Sequence, residues 1–209
     1  DQLDNYIVNL AQPTGRSVSR TLESYFAQVN YDYDNKYFLT ASVRTDGSSR
    51  FANDKWDVFG SVGASWVVSN EDFLIDNDIL RFLKVKASWG RTGDELGVPF
   101  FTGINTFEVT NVGGEFAVAP ELFANPDLTW ETAQQYQAGV EFSLGNFLDA
   151  TVDYYIKDTD NLFFERRNSP SSGVAIINVN DGQLRNSGLE FDFTGHIFKS
   201  ENASLDLTI

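Results

Sequence analysis

WDVFGSVGASWVVS, residues 56–69, carries an apolar residue or glycine at every even position and a tryptophan near each end. Trp56, Val58, Gly60, Val62, Ala64, Trp66 and Val68 alternate with Asp57, Phe59, Ser61, Gly63, Ser65, Val67 and Ser69. A period of two places successive side chains on opposite faces, so the stretch reads as a strand with one apolar and one mostly small, polar face. A half-buried strand of a soluble sheet fits that alternation as well as a lipid-facing one. The remainder of the chain has to choose.

Seven further segments show the same period, the last of them cut short. Ser24 to Tyr33 sets Tyr25, Ala27, Val29, Tyr31 and Tyr33 on one face, and Tyr37 to Thr45 continues it after only Asp34, Asn35 and Lys36. A polar loop from Asp46 to Lys55 leads into the quoted strand. SNED at 69–72 has the hydroxyl-to-acid spacing of a capping box and predicts a short helical turn through about Leu80. Phe82 to Gly90 and Thr129 to Leu144 follow, separated by a loop from Arg91 to Leu128. Gly145 and Asn146 make a tight turn into Leu148 to Lys157. A second long loop spans Asp158 to Asn186. Leu189 to Ile197, the turn Lys199 to Asn202 and Leu205 to Ile209 close the series.

The connections therefore alternate between short and long. Transmembrane barrels are built this way, with short periplasmic turns and extended extracellular loops, whereas a soluble sandwich has no reason to be. The tryptophans agree. At roughly 3.3 Å per residue and a tilt of about 40°, the run from Trp56 to Trp66 rises roughly 25 Å, the height of the apolar band between two aromatic girdles. The expected girdle residues are Trp56, Trp89 and Trp130 beside long loops, and Tyr33, Tyr37, Trp66, Phe142 and Tyr154. The expected fold is all-β: an antiparallel up-and-down transmembrane barrel wall of about eight strands.

Composition narrows the function. A net charge of −15 opposes nucleic-acid binding, which rests on Lys and Arg neutralising phosphates. The longest uncharged runs, 58–70 and 168–180, are too short and polar for a membrane helix of about 20 residues, while a strand needs only about 10. A mean hydropathy of −0.27 is thus compatible with a barrel. With no Cys there is no thiol-bound metal or disulfide scaffold, and with no Met and no leader pattern the chain reads as a mature or internal piece.

The order of motifs SYFAQVNYDYDNKYFLTASVRTDGSSRFANDKWDVFGSVGASWVVSNEDFL, LKVKASWGRTGD, NPDLTWETAQQYQAGVEFSLGN, DATVDYYIKDTDNLFF and LRNSGLEFDF closely resembles the barrel region of SusC-like TonB-dependent outer-membrane transporters of Bacteroidetes, over most of residues 19–198. The resemblance implies a barrel of about 22 strands around a plug. This chain shows neither the plug nor the TonB-contacting segment, so residues 1–209 are expected to be a partial barrel domain, and TonB to be contacted through a segment outside it. It further implies a SusD-like surface lipoprotein as partner, outer-membrane lipid around the wall, and import of oligosaccharides or peptides. A passive porin and a soluble sugar-binding β-domain are the alternatives.

No enzyme is expected. His196, the single histidine, falls on the polar face with no GxSxG elbow anywhere. The acidic pairs Asp32/Asp34, Asp76/Asp78 and Asp158/Asp160 and the NVNDG at 178–182 lack the spacing of a calcium loop and read as turn or solvated carboxylates. No metal or cofactor is expected. Candidate ligand contacts lie in the loops: Arg50 in DGSSRF, which loop hydrogen bonding explains equally well, and Phe163, Phe164, Arg166 and Arg167. Phe100, Phe101, Phe107, Phe116 and Phe123 punctuate the longest loop, where packing against a plug, neighbouring loops or a lid protein is the first expectation.

Overall fold

The computed structural model describes residues 17–75, 77–169, 171, 176–199 and 204–209. Asp76, residues 170 and 172–175 of the second long loop, and 200–203 of the last turn lie outside them. Eight strands form one antiparallel sheet in the order β1 (Leu22–Tyr33), β2 (Tyr37–Ser48), β3 (Trp56–Val67), β4 (Leu80–Asp94), β7 (Glu131–Leu144), β8 (Leu148–Arg167), β9 (Ile176–Lys199) and β10 (Ser204–Thr208). A separate two-stranded sheet pairs β5 (Thr106–Val112) with β6 (Glu115–Leu122).

Each strand pairs with its sequence neighbour in the large sheet, apart from the hairpin between β4 and β7, so the up-and-down order follows from local turns. Asp34 and Asn35 both adopt left-handed backbone (φ 55° and 51°) between β1 and β2, and Lys36 N–H closes on Tyr33 O at 3.0 Å. Asp and Asn tolerate that conformation better than other side-chain-bearing residues. Gly145 does the same between β7 and β8 at φ 49°.

Register makes one face continuous across the sheet. Trp66 opposes Tyr37 and Val85, Val85 opposes Val140, Val140 opposes Val152, and Val152 opposes Phe191. Ala64, Leu39, Ala87, Ala138, Tyr154 and Leu189 form the next row. Because a slip by one residue would reverse a whole strand, this agreement over successive ladders specifies the pairing. The opposite face bears Ser42, Ser61, Lys86, Glu141 and Asp153.

Three sequence expectations need correction. The stretch 91–128 is not structureless: β4 continues to Asp94, and Gly113 and Gly114, at φ 66° and 95°, turn β5 into β6. Most of 158–186 is strand, because β8 and β9 stay paired out to Arg167 and Ile176, with bulges around Asn161. Apolar and polar residues are mixed on both faces there and the bulges shift the two-residue period, which hides the strand although the backbone ladder persists. The helical turn expected from SNED is only a 3-10 turn, Val68–Asn70, followed by isolated turns. Ser69 is buried in that turn instead of capping a helix.

Candidate outer rim and polar wall

At the end carrying the long connections the sheet opens a seam. The β3–β4 ladder stops at Gly60 and Arg91, while β2–β3 runs on to Gly47 and Trp56 and β4–β7 to Asp94 and Glu131. An apolar cluster of Phe51, Phe59, Val98 and Trp130 occupies the region, with Phe163 packed against it. Trp130 lies 5.0 Å from Phe51 and 5.5 Å, edge-on, from Phe59, ring centre to ring centre. Arg91 places its guanidinium 5.6 Å from the Phe59 ring centre and grips both oxygens of Asp57 at 3.1 and 2.8 Å. Gly93 must lack a side chain, since a Cβ there would overlap the Phe59 ring.

Trp130 is therefore not a girdle residue. It is 3% exposed and donates its indole N–H to Lys55 O at 3.3 Å. It stands one residue ahead of β7, where the loops turn it into their own core. Period two assigns a face only while the chain remains in the ladder.

Arg50 is committed to the same plate. Its Nη1 donates to the carbonyls of Glu95, Leu96 and Val98 at 3.0, 3.3 and 2.9 Å, and its guanidinium covers Phe100 at 4.6 Å. Thr102 Oγ1 donates back to Arg50 O at 2.7 Å. Arg20 forms an ion pair with the nearly buried Glu95. Asn180 ties the far loops, accepting from Thr129 N–H at 2.9 Å and donating to Thr129 O and Asn161 O at 3.0 and 2.7 Å. Backbone carbonyls in irregular loops need such donors when water is excluded.

What the rim leaves exposed differs from this packed plate. Phe164, Arg166 and Arg167 stand out at the β8 tip, so of the loop candidates these three are accessible, Phe163 is half-buried in the cluster and Arg50 is a clamp. The β5–β6 hairpin aligns Phe107, Val109, Phe116 and Val118 on one exposed face, Phe116 at 88%. The signal for it was present, a GG pair flanked by alternating apolar residues.

The polar face of the wall is a network. Lys86 Nζ bridges Glu141 and Asp153 at 2.9 and 3.0 Å, Lys84 adds a 3.6 Å contact to Glu141, and Ser42 meets Ser61 at 2.7 Å. Near the short turns His196 sits between Asp149 at 2.9 Å and Asp206 at 2.7 Å. Both ring nitrogens are thereby engaged by carboxylates, an arrangement that fixes the ring and leaves neither nitrogen to act on a serine. Asp158, one of the acidic pairs, is gripped by Arg185 at 2.5 and 2.8 Å.

On the apolar face Tyr37 stacks on Trp66 at 6.2 Å and lies 6.4 Å from Tyr33, and Trp56 stacks on Tyr25 at 6.1 Å. Trp89 opposes Val62 and Tyr136, Phe142 opposes Leu83 and Ala150, and Tyr154 opposes Ala138 and Leu189.

Residues 1–208 match the family described as TonB dependent receptor-like, beta-barrel. TonB-dependent receptor P3 of Formosa agariphila is 37% identical over 185 residues, which is 86% of this chain and 18% of the relative. TonB-dependent receptor SusC of Bacteroides thetaiotaomicron is 29% identical over 209 residues, 95% of this chain and 21% of that one. The chain thus spans about a fifth of the length of these curated relatives. Among solved structures, the RagAB peptide importer in its closed-closed state superposes with a TM-score of 0.81 at 28% identity, over 92% of this chain and 21% of that one.

Proposed function

This chain belongs to the TonB dependent receptor-like β-barrel family, and from that premise we propose that it forms part of the wall and outer rim of a bacterial outer-membrane importer for oligosaccharides or peptides. The observation that carries the reading is the register-continuous apolar face, which runs through Tyr37, Trp66, Val85, Val140, Val152 and Phe191 without a charge. In lipid such a face needs no further cover, while the charged network behind it lines a hydrated interior.

The seven remaining girdle candidates, Tyr33, Tyr37, Trp56, Trp66, Trp89, Phe142 and Tyr154, then meet the bilayer interfaces. Phe164 and Arg166 at the β8 tip contact the solute. A surface lipoprotein of the SusD-like type covers the rim, and the exposed apolar face of the β5–β6 hairpin supports that docking, since such patches seek a partner. TonB acts through a part of the full protein outside this chain. That the RagAB neighbours are peptide importers supports a bulky, oligomeric cargo.

The test uses the full-length parent protein. Deleting its gene is expected to abolish uptake of the cargo, and a protonophore that removes the energy delivered by TonB is expected to do the same to wild type. Uptake that persists without energy would instead indicate a passive porin. Replacing residues 106–122 by a short Gly-Ser linker is expected to release the co-purifying lipoprotein while the barrel still migrates as a folded species.

A further inference from the structure

One connection at the short-turn end departs from its neighbours. Residues 34–36 and 145–147 suffice to join β1 to β2 and β7 to β8, yet β3 and β4 are joined by 68–79. That segment exposes Phe73 at 71%, Ile75 at 64% and Ile79 at 72%. Three large apolar side chains this exposed on one short segment call for cover.

Its position says which cover. Trp66 and Tyr37 lie on the apolar face of the sheet, and both side chains reach Glu71, Trp66 Nε1 at 3.0 Å and Tyr37 Oη at 2.7 Å. Lys36 Nζ adds a third donor at 3.2 Å. By accepting from two aromatics of the apolar face, Glu71 brings the start of the connection to the foot of that face. The segment is also held rigidly. Asn70 Nδ2 donates to Asn35 O at 2.8 Å, Val67 N–H to Lys36 O at 2.8 Å, and Gly145 N–H to Ile79 O at 2.7 Å, so the turns on both sides fix it.

Successive turns meet part of its backbone hydrogen bonding. Leu74 N–H closes on Glu71 O, Asn77 N–H on Leu74 O, and Asn77 Oδ1 accepts from Ile79 and Leu80 N–H at 3.0 and 2.9 Å. Each turn hydrogen bond met within the chain lowers the cost of bringing this segment to the headgroup boundary, where the exposed Asp72 and Asp78 can stay in water while the apolar side chains enter.

We propose that the β3–β4 connection is a membrane-interfacial foot, which places Phe73, Ile75 and Ile79 among the phospholipids at the short-turn side of the wall, below the Tyr37–Trp66 pair. The proposal rests on the wall reading above. It assigns to this connection an anchoring role that the three-residue β1–β2 and β7–β8 turns are too short to share.

The experiment uses the full-length parent protein with any cysteines elsewhere replaced, in vesicles of phosphatidylethanolamine and phosphatidylglycerol. Phe73→Cys, Ile75→Cys and Ile79→Cys are each nitroxide-labelled, with Val62→Cys on the apolar face and Asp34→Cys in the β1–β2 turn as references. The label's collisions with oxygen, which partitions into lipid, are compared with those of a water-soluble nickel chelate. At 73, 75 and 79 the oxygen-to-nickel ratio is expected to exceed that at 34 and approach that at 62. Nickel access equal to that at 34, or labels shielded from both reagents as under a covering protein, would overturn the foot. An aqueous label at 62 would instead overturn the wall reading. For variants that fail to assemble, a photoactivatable phospholipid applied to wild type provides a second readout. Its cross-links are expected on residues 71–80, and cross-links on β3 and β4 but none on 71–80 would refute the proposal.

Discussion

The indole of Trp66 donates to the carboxylate of Glu71 at 3.0 Å, and the phenol of Tyr37 shares the same oxygen at 2.7 Å. Two aromatics expected only to mark a membrane interface are thus oriented by one acid from the following connection. Hydrogen bonds from Tyr37, then Trp66, then Lys36 hold the Glu71 carboxyl below its usual range.

A pH dependence follows. A depressed folded-state value means the network is fully stabilising above the ordinary carboxylate value of about 4.3 and is lost as pH falls through the lower, folded value. Protease protection of residues 68–79 in wild type is expected to fall away in that acid window. Glu71→Gln should show weaker protection at neutral pH and no such acid step. Identical profiles for the two would refute the assignment.

Trp130→Ala removes the largest ring of the rim cluster. Truncating a buried tryptophan costs about 3–5 kcal/mol where the site cannot collapse. The loss is expected to be local: amide exchange should accelerate in 49–55 and 95–105, while the β7–β8 ladder keeps its protection. Unchanged exchange in those loops would mean the cluster does not organise them.

Gly93→Val forces a branched side chain into the space of the Phe59 ring. Overpacking of this kind costs about 1–3 kcal/mol. Phe59→Ala in the same chain is expected to rescue part of it, so a thermal-melt cycle of the two changes should be non-additive. Simple additivity would place the strain elsewhere.

Lys86→Met leaves Glu141 and Asp153 facing each other without the cation between them. Removing one partner of a partly buried hydrogen-bonded group costs about 1–3 kcal/mol. Adding Asp153→Asn to that variant should recover stability, measured as the melting temperature of the detergent-solubilised full-length protein. A double variant no more stable than the single one would show that Lys86 acts through packing alone.

Much of the wall was legible because its cause is local. Alternation assigned faces to eight strands, and the Asp-Asn and Gly-Asn turns forced antiparallel neighbours, so the all-β, up-and-down topology was legible in the chain alone. Where alternation was not the governing constraint the reading went astray. The outer parts of β8 and β9 keep their ladder, but bulges around Asn161 shift the side-chain period and mix apolar with polar residues on both faces. Residues 113 and 114 announced a hairpin inside what read as a wandering loop.

By itself, then, the order of residues determined which side of each strand is apolar, because side-chain direction in a strand depends only on position in the pleat. Tertiary structure decided the fate of the residues just outside the ladders. Trp130 turned into the loop core, Arg50 became a clamp for three carbonyls, and Glu71 reached back to Trp66 and Tyr37. Their partners are distant in sequence or freed from the two-residue period, and contacts of that kind exist only once the sheet has brought its loops together.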